Sequence, residues 1–134
     1  ETLDVTGPVK VVLHASSTAI DTDWVARVTD VHPDGTSMLI CDGILRARFK
    51  DSFEDPIALI PQMPMEFEID LWATSHVFQK GHRVRVAIAS SSFPRWDRNW
   101  QTGRNNAYES SGPAADNRVF RDAVRSSHVL LPLL

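Results

Sequence analysis

Residues Asp21–Gly43 read DTDWVARVTDVHPDGTSMLICDG, two apolar-rich runs separated by HPDGTS. Pro33 presets φ, Asp34 offers a turn-forming side chain and Gly35 can take φ > 0, so the segment predicts two strands joined as a hairpin. Asp21 and Asp23 resemble the start of a calcium loop, but the third acid and the glycine such a loop needs do not follow. Calcium therefore has no support from the sequence.

The same period of two recurs outward. In GPVKVVLHASS, Val9, Val11, Leu13 and Ala15 share one face and Lys10, His14 and Ser16 the other, with Gly7-Pro8 marking the start of a half-buried strand. After the hairpin, ILRARF is expected to form a further strand. KDSFEDPIALIPQMP, with three prolines, is expected to be an extended loop or edge. MEFEIDLW sets Met65, Phe67, Ile69 and Leu71 against Glu66, Glu68 and Asp70; HRVRVAIASSS sets Val84, Val86 and Ile88 against Arg83 and Arg85. Pairing these two strands would lay an acidic row beside a basic one. RNNAYESSGPAADN has turn signals without a period and reads as a surface loop, and RVFRDAV with HVLLPLL reads as a closing hairpin. Eight or so short strands without a helix imply an all-β antiparallel sandwich of the jelly-roll type, one domain over residues 1–134.

Composition narrows the function. The 134 residues are 43% hydrophobic and 23% charged with a formal charge of −3, so disorder is disfavoured and there is no basic footprint for nucleic acid. No apolar run approaches the roughly 20 residues that cross a bilayer as a helix, so no membrane partner is expected. Cys41 is the only cysteine; it suits a small core residue, and one unpaired thiol favours a cytoplasmic setting over an oxidising one.

Catalytic signatures are missing. The six glycines contain no pair four apart, which removes the G-x-S-x-G elbow, and their positions remove the P-loop and the dinucleotide fingerprint. The five histidines never stand four apart, so any metal site would have to be assembled through space; no metal and no cofactor is expected. His76 and His82, in TSHVFQKGHR, read as solvated loop residues rather than bases. Trp24 and Trp72 adjoin apolar strands and read as core or inter-sheet residues whose indole N–H groups need partners.

One stretch resists dismissal: SSSFPRWDRNWQTG, Ser90–Gly103, with two tryptophans four apart among Arg95, Asp97, Arg98 and Asn99. Such a composition suits sugar stacking or a protein interface. Asp97 and Arg98 are expected to hold the loop against the sandwich through hydrogen bonds, and Phe93, Trp96 and Trp100 to anchor a contact.

Three long segments, DTDWVARVTDVHPDGTSMLICDGILRARF, IDLWATSHVFQKGHRVRVAIASSSFPRWDRN and HVLLPLL, together resemble the C-terminal domain of the X-prolyl dipeptidyl-peptidase and cocaine-esterase family of serine hydrolases, which includes α-amino-acid ester hydrolases and glutaryl-cephalosporin acylases. The resemblance runs from about Asp4 to the end and departs mainly in RNNAYESSGPAADN. It implies a galactose-binding-domain-like jelly roll packed against an α/β-hydrolase domain and a helical cap, both encoded upstream of Glu1. The triad of that family belongs to the hydrolase domain, so no catalytic residue is carried over. The jelly roll would brace its neighbours and help shape the active-site entrance, with Ser90–Gly103 as packing loop against the hydrolase domain or a partner subunit in a homo-oligomer. The alternatives are a carbohydrate-binding module and a self-standing structural or adhesion domain.

Overall fold

The computed structural model describes residues 1–134 and has seven strands: β1 (Leu3–Ser17), β2 (Asp23–Val31), β3 (Ser37–Arg46), β4 (Met65–Phe78), β5 (Arg83–Ala89), β6 (Asn117–Val119) and β7 (His128–Leu130). Two short 3₁₀ turns, Ala47–Phe49 and Asn106–Tyr108, are the only helical pieces. All pairings are antiparallel. β1 pairs with β4 on one side and with β6 and β7 on the other, while β2 sits between β3 and β5 in a second sheet. The fold is the antiparallel β-sandwich that the alternation implies.

The core lies between the two inner faces. β1 contributes Val5, Val9, Val11, Leu13 and Ala15, β4 contributes Phe67, Ile69 and Leu71, and β2 answers with Trp24, Ala26 and Val28. Trp24 lies 5.7 Å from Phe67. Its Nε1–H is buried without a hydrogen-bond partner. The HPDGTS turn closes as expected: the His32 amide donates to the Thr36 carbonyl at 2.8 Å, and Gly35 has φ +91°.

Several expectations are corrected by the pairing. β4 and β5 are not neighbours; the acidic row of β4 lies beside β1, where Lys10 meets Glu68 at 2.6 Å and His14 meets Glu66 at 3.4 Å. Alternation assigns faces to a strand, not partners. The closing hairpin also fails, because β6 and β7 each add to β1 and only an isolated Arg121–Ser126 bridge links their ends. β3 runs unbroken through Asp42-Gly43 before turning at Ala47, and β1 begins at Leu3, ahead of Gly7-Pro8. Ser16, placed on the outer face, is buried. Val86 stands at the sheet edge, 37% exposed, rather than inside.

The largest correction is in β4. Val9 of β1 is opposed by two residues, Leu71 and Trp72, and Trp72 takes φ +65° with its amide donating to Asp70 Oδ1 at 2.8 Å. This β-bulge shifts the alternation by one. Phe67, Ile69 and Leu71 point inward before it; Phe78 is buried and His76 half-buried after it. Trp72 itself is turned out, 74% exposed, instead of entering the core.

Candidate functional site

The Ser90–Gly103 loop leaves β5 at the end of the sandwich where β2 begins and β3 ends. There the DTD motif is buried: Asp21, Thr22 and Asp23 are each at most 1% exposed. Buried carboxylates require partners, and these come from three segments. Arg48 Nη1 donates to Asp21 Oδ2 at 2.9 Å, and the Arg48 amide to Asp21 Oδ1 at 3.1 Å. Arg46 forks onto Asp23 at 2.9 and 3.1 Å. The Asn99 amide group then bridges the two acids, donating to Asp21 Oδ2 at 2.9 Å and Asp23 Oδ1 at 2.8 Å. The Asp23 hydrogen bond holds the Arg46 guanidinium even more firmly protonated than usual. The DTD motif is thus a clamp for the loop, filled by arginines and an amide.

From this clamp the loop is displayed outward. Asp97 accepts from Arg46 Nη2 at 3.2 Å, as expected of a residue that holds the loop. Arg98 does not: its guanidinium lies over the Phe93 ring, 5.2 Å from the centroid. Arg95 reaches the buried Asp42 at 3.0 Å and covers the Trp96 ring at 4.8 Å. One face of that ring is therefore already taken, which argues against sugar stacking there. Phe93 is 61% exposed, while Trp96 and Trp100 are half-buried. Of the three candidate anchors, Phe93 is the most exposed, with Arg98 over one face of its ring.

Trp100 is fixed from both sides. Its amide donates to Asn106 Oδ1 at 3.3 Å, and Gly112 crosses so close to its carbonyl that a Cβ would lie 1.7 Å from the oxygen. Arg27, held by Ser92 Oγ, and Arg98 flank an open cleft of about 690 Å³ floored by Ser90–Ser92. No serine hydroxyl in the chain is hydrogen-bonded to an imidazole.

A second polar cluster, which periodicity alone did not reveal, occupies the opposite end. Asp30 ends the inward row Trp24, Ala26, Val28 and is 2% exposed. It lies seven positions along the strand from Asp23, about 23 Å away. His82 Nδ1 lies 2.9 and 3.0 Å from its two oxygens, His76 Nε2 3.0 Å from Oδ2, and His32 Nε2 3.9 Å from Oδ2. Burial alone would push the Asp30 carboxyl up, but hydrogen bonds from His82 and His76 outweigh it and hold the group below its ordinary value. His76 and His82 are partly buried partners of a core carboxylate, not the solvated residues their loop-like sequence suggests.

Residues 1–130 match the family described as the X-Pro dipeptidyl-peptidase C-terminal non-catalytic domain. The cocaine esterase of Rhodococcus sp. (strain MB1 Bresler) is 41% identical over 134 residues, covering 98% of this chain and 23% of the esterase. An aminopeptidase from a marine sediment Thaumarchaeota archaeon superposes with a TM-score of 0.95 at 33% identity, and an α-amino acid ester hydrolase with 0.95 at 34%. In both, all of this chain matches 24% of the solved one. The chain therefore spans about a quarter of the length of its relatives, and it belongs to the family of X-Pro dipeptidyl-peptidase C-terminal non-catalytic domains.

Proposed function

We propose that this domain is carried by a serine hydrolase acting on ester or peptide bonds, with an α/β-hydrolase domain and a helical cap preceding it, and that it braces them through the Ser90–Gly103 face. The observation carrying the reading is that the whole chain matches a non-catalytic unit in enzymes four times its length, named for ester and peptide substrates. The loop supports the docking role. Phe93 is held out to solvent on a segment whose base is pinned by buried acids, so an apolar contact could form there without ordering a flexible loop.

In the parent, a serine would attack the carbonyl, an oxyanion hole would stabilise the tetrahedral intermediate and water would release the acyl group. None of these steps falls to a residue of this chain; its part is to hold the walls of the entrance in place. Labelling the full-length protein with a fluorophosphonate and mapping the modified peptide tests the division of labour. The label is expected on a serine outside these 134 residues. A labelled serine within them overturns the reading.

A further inference from the structure

Asp30, His32, His76 and His82 come from β2, the β2–β3 turn, β4 and the β4–β5 turn. Four separate backbone positions deliver one carboxylate and three imidazoles to a single point. The two turns are packed together there: a Cβ on Gly81 would lie 3.8 Å from Pro33 Cγ. The β4 bulge brings His76 into the cluster, since without the shift in alternation it would face outward.

A hydrogen-bonded carboxylate explains part of this arrangement. His76 and His82 are at hydrogen-bonding distance from Asp30, but His32 Nε2, at 3.9 Å, is too far. Its ring lies against that of His82, centroids 4.3 Å apart and planes tilted by 32°, so the two imidazoles stand side by side next to the carboxylate. Ligand atoms of Asp30, His32 and His82 all lie within 4.8 Å of one another. Around a tetrahedral ion with bonds of roughly 2.1 Å, ligand atoms stand about 3.4 Å apart. Two of the three spacings, 2.9 Å from Asp30 to His82 and 3.9 Å from Asp30 to His32, fall on either side of that value, and the third, His32 to His82, stays within 4.8 Å.

We propose that Asp30, His32 and His82 form a binding site for a divalent ion of the zinc class, with His76 as the positioning residue that donates to Asp30 Oδ2. Two imidazoles and a carboxylate suit zinc, and they leave a fourth position for water. The carboxylate offsets half the ionic charge in a pocket where Asp30 is almost wholly buried. The His76 hydrogen bond is the kind of support that orients a ligating carboxylate. Bound there, the ion ties the turn of one sheet to the turn through which the chain crosses to the other. The site is a staple at the end remote from the candidate docking loop.

The test uses the full-length protein, stripped of metal by a chelator and titrated with Co²⁺ and then Zn²⁺. One tetrahedral Co²⁺ absorption per chain, displaced by Zn²⁺, is expected, together with a Zn²⁺-dependent rise in the unfolding temperature. His32→Ala and His82→Asn should each abolish both signals, His76→Gln should weaken Zn²⁺ binding by about 10- to 100-fold, and His128→Ala should change neither. Circular dichroism verifies that the variants fold. His32→Ala removes no hydrogen bond of the ring to the cluster, so it carries the test if His82→Asn unfolds. No saturable binding, or binding that persists undiminished in His32→Ala, overturns the proposal.

Discussion

The carbonyl oxygen of Asp70 on β4 lies 1.9 Å from the point where a Cβ on Gly43 of β3 would stand. The two strands belong to different sheets, so Gly43 sets how closely the sheets meet at this edge of the sandwich. Gly43→Ala cannot be absorbed by a side-chain rotation, because the obstacle is backbone. It is expected to lower stability by about 2–3 kcal/mol, read as a shift of the urea midpoint at unchanged slope.

The clamp of Asp21 and Asp23 depends on complete pairing. Arg48→Met leaves the fully buried Asp21 without its cationic partner and is expected to cost about 3–5 kcal/mol. Asn99→Ala removes one hydrogen bond from each acid and should cost about 2–3 kcal/mol, with faster proteolysis between Ser90 and Gly103. Equal proteolysis rates for wild type and Asn99→Ala would show that the loop is held by something other than this bridge.

The strands and their faces were legible because period-two runs are long here: Val9 to Ala15 and Phe67 to Leu71 are buried as the alternation requires. Strand partners were not, since Glu66 and Glu68 would suit any basic neighbour and topology supplies Lys10 and His14 of β1. The bulge was also invisible, because a tryptophan rather than a glycine takes the positive φ. Asp30 carried a readable signal: continuing the row Trp24, Ala26, Val28 places a carboxylate where the core should be. The histidines that answer it meet only through space. At the loop, Phe93, Trp96 and Trp100 stand out by composition, whereas Asn99 gives no sign of its bridging role until the buried acids are seen.

Phe93 offers a direct measure of docking. In the full-length protein, Phe93→Asp is expected to split a single thermal transition into two, as this domain and the rest unfold independently. The domain's own transition should move little, since Phe93 is mostly exposed and surface changes generally stay within about 0.5 kcal/mol. A single unshifted transition would place the contact elsewhere.

Cys41 is half-buried, and burial followed by the adjacent Asp42 charge pushes its thiol up. A raised value means less thiolate at any given pH, and thiolate is the reactive form. Near pH 8.5, where roughly half of free cysteine is ionised, iodoacetamide is expected to modify the folded protein more slowly than the urea-unfolded one. Asp42→Asn should narrow the gap and bring the onset of labelling to lower pH. Equal rates in the folded and unfolded states would mean that neither burial nor Asp42 governs the thiol.

Trp72 combines two costs: an indole 74% exposed and a backbone at φ +65°. For an L residue that conformation costs about 1–2 kcal/mol, which glycine avoids at an entropic cost of about 0.5–1 kcal/mol. If the strain is uncompensated, Trp72→Gly should leave stability unchanged or raise it by up to about 1.5 kcal/mol, while Trp72→Val, β-branched and so more strained at positive φ, should lower it. Denaturant titration of the full-length protein decides the matter. A clear loss on Trp72→Gly would mean that another part of the protein covers the indole, making the outer edge of the bulge a second contact beside the Ser90–Gly103 loop.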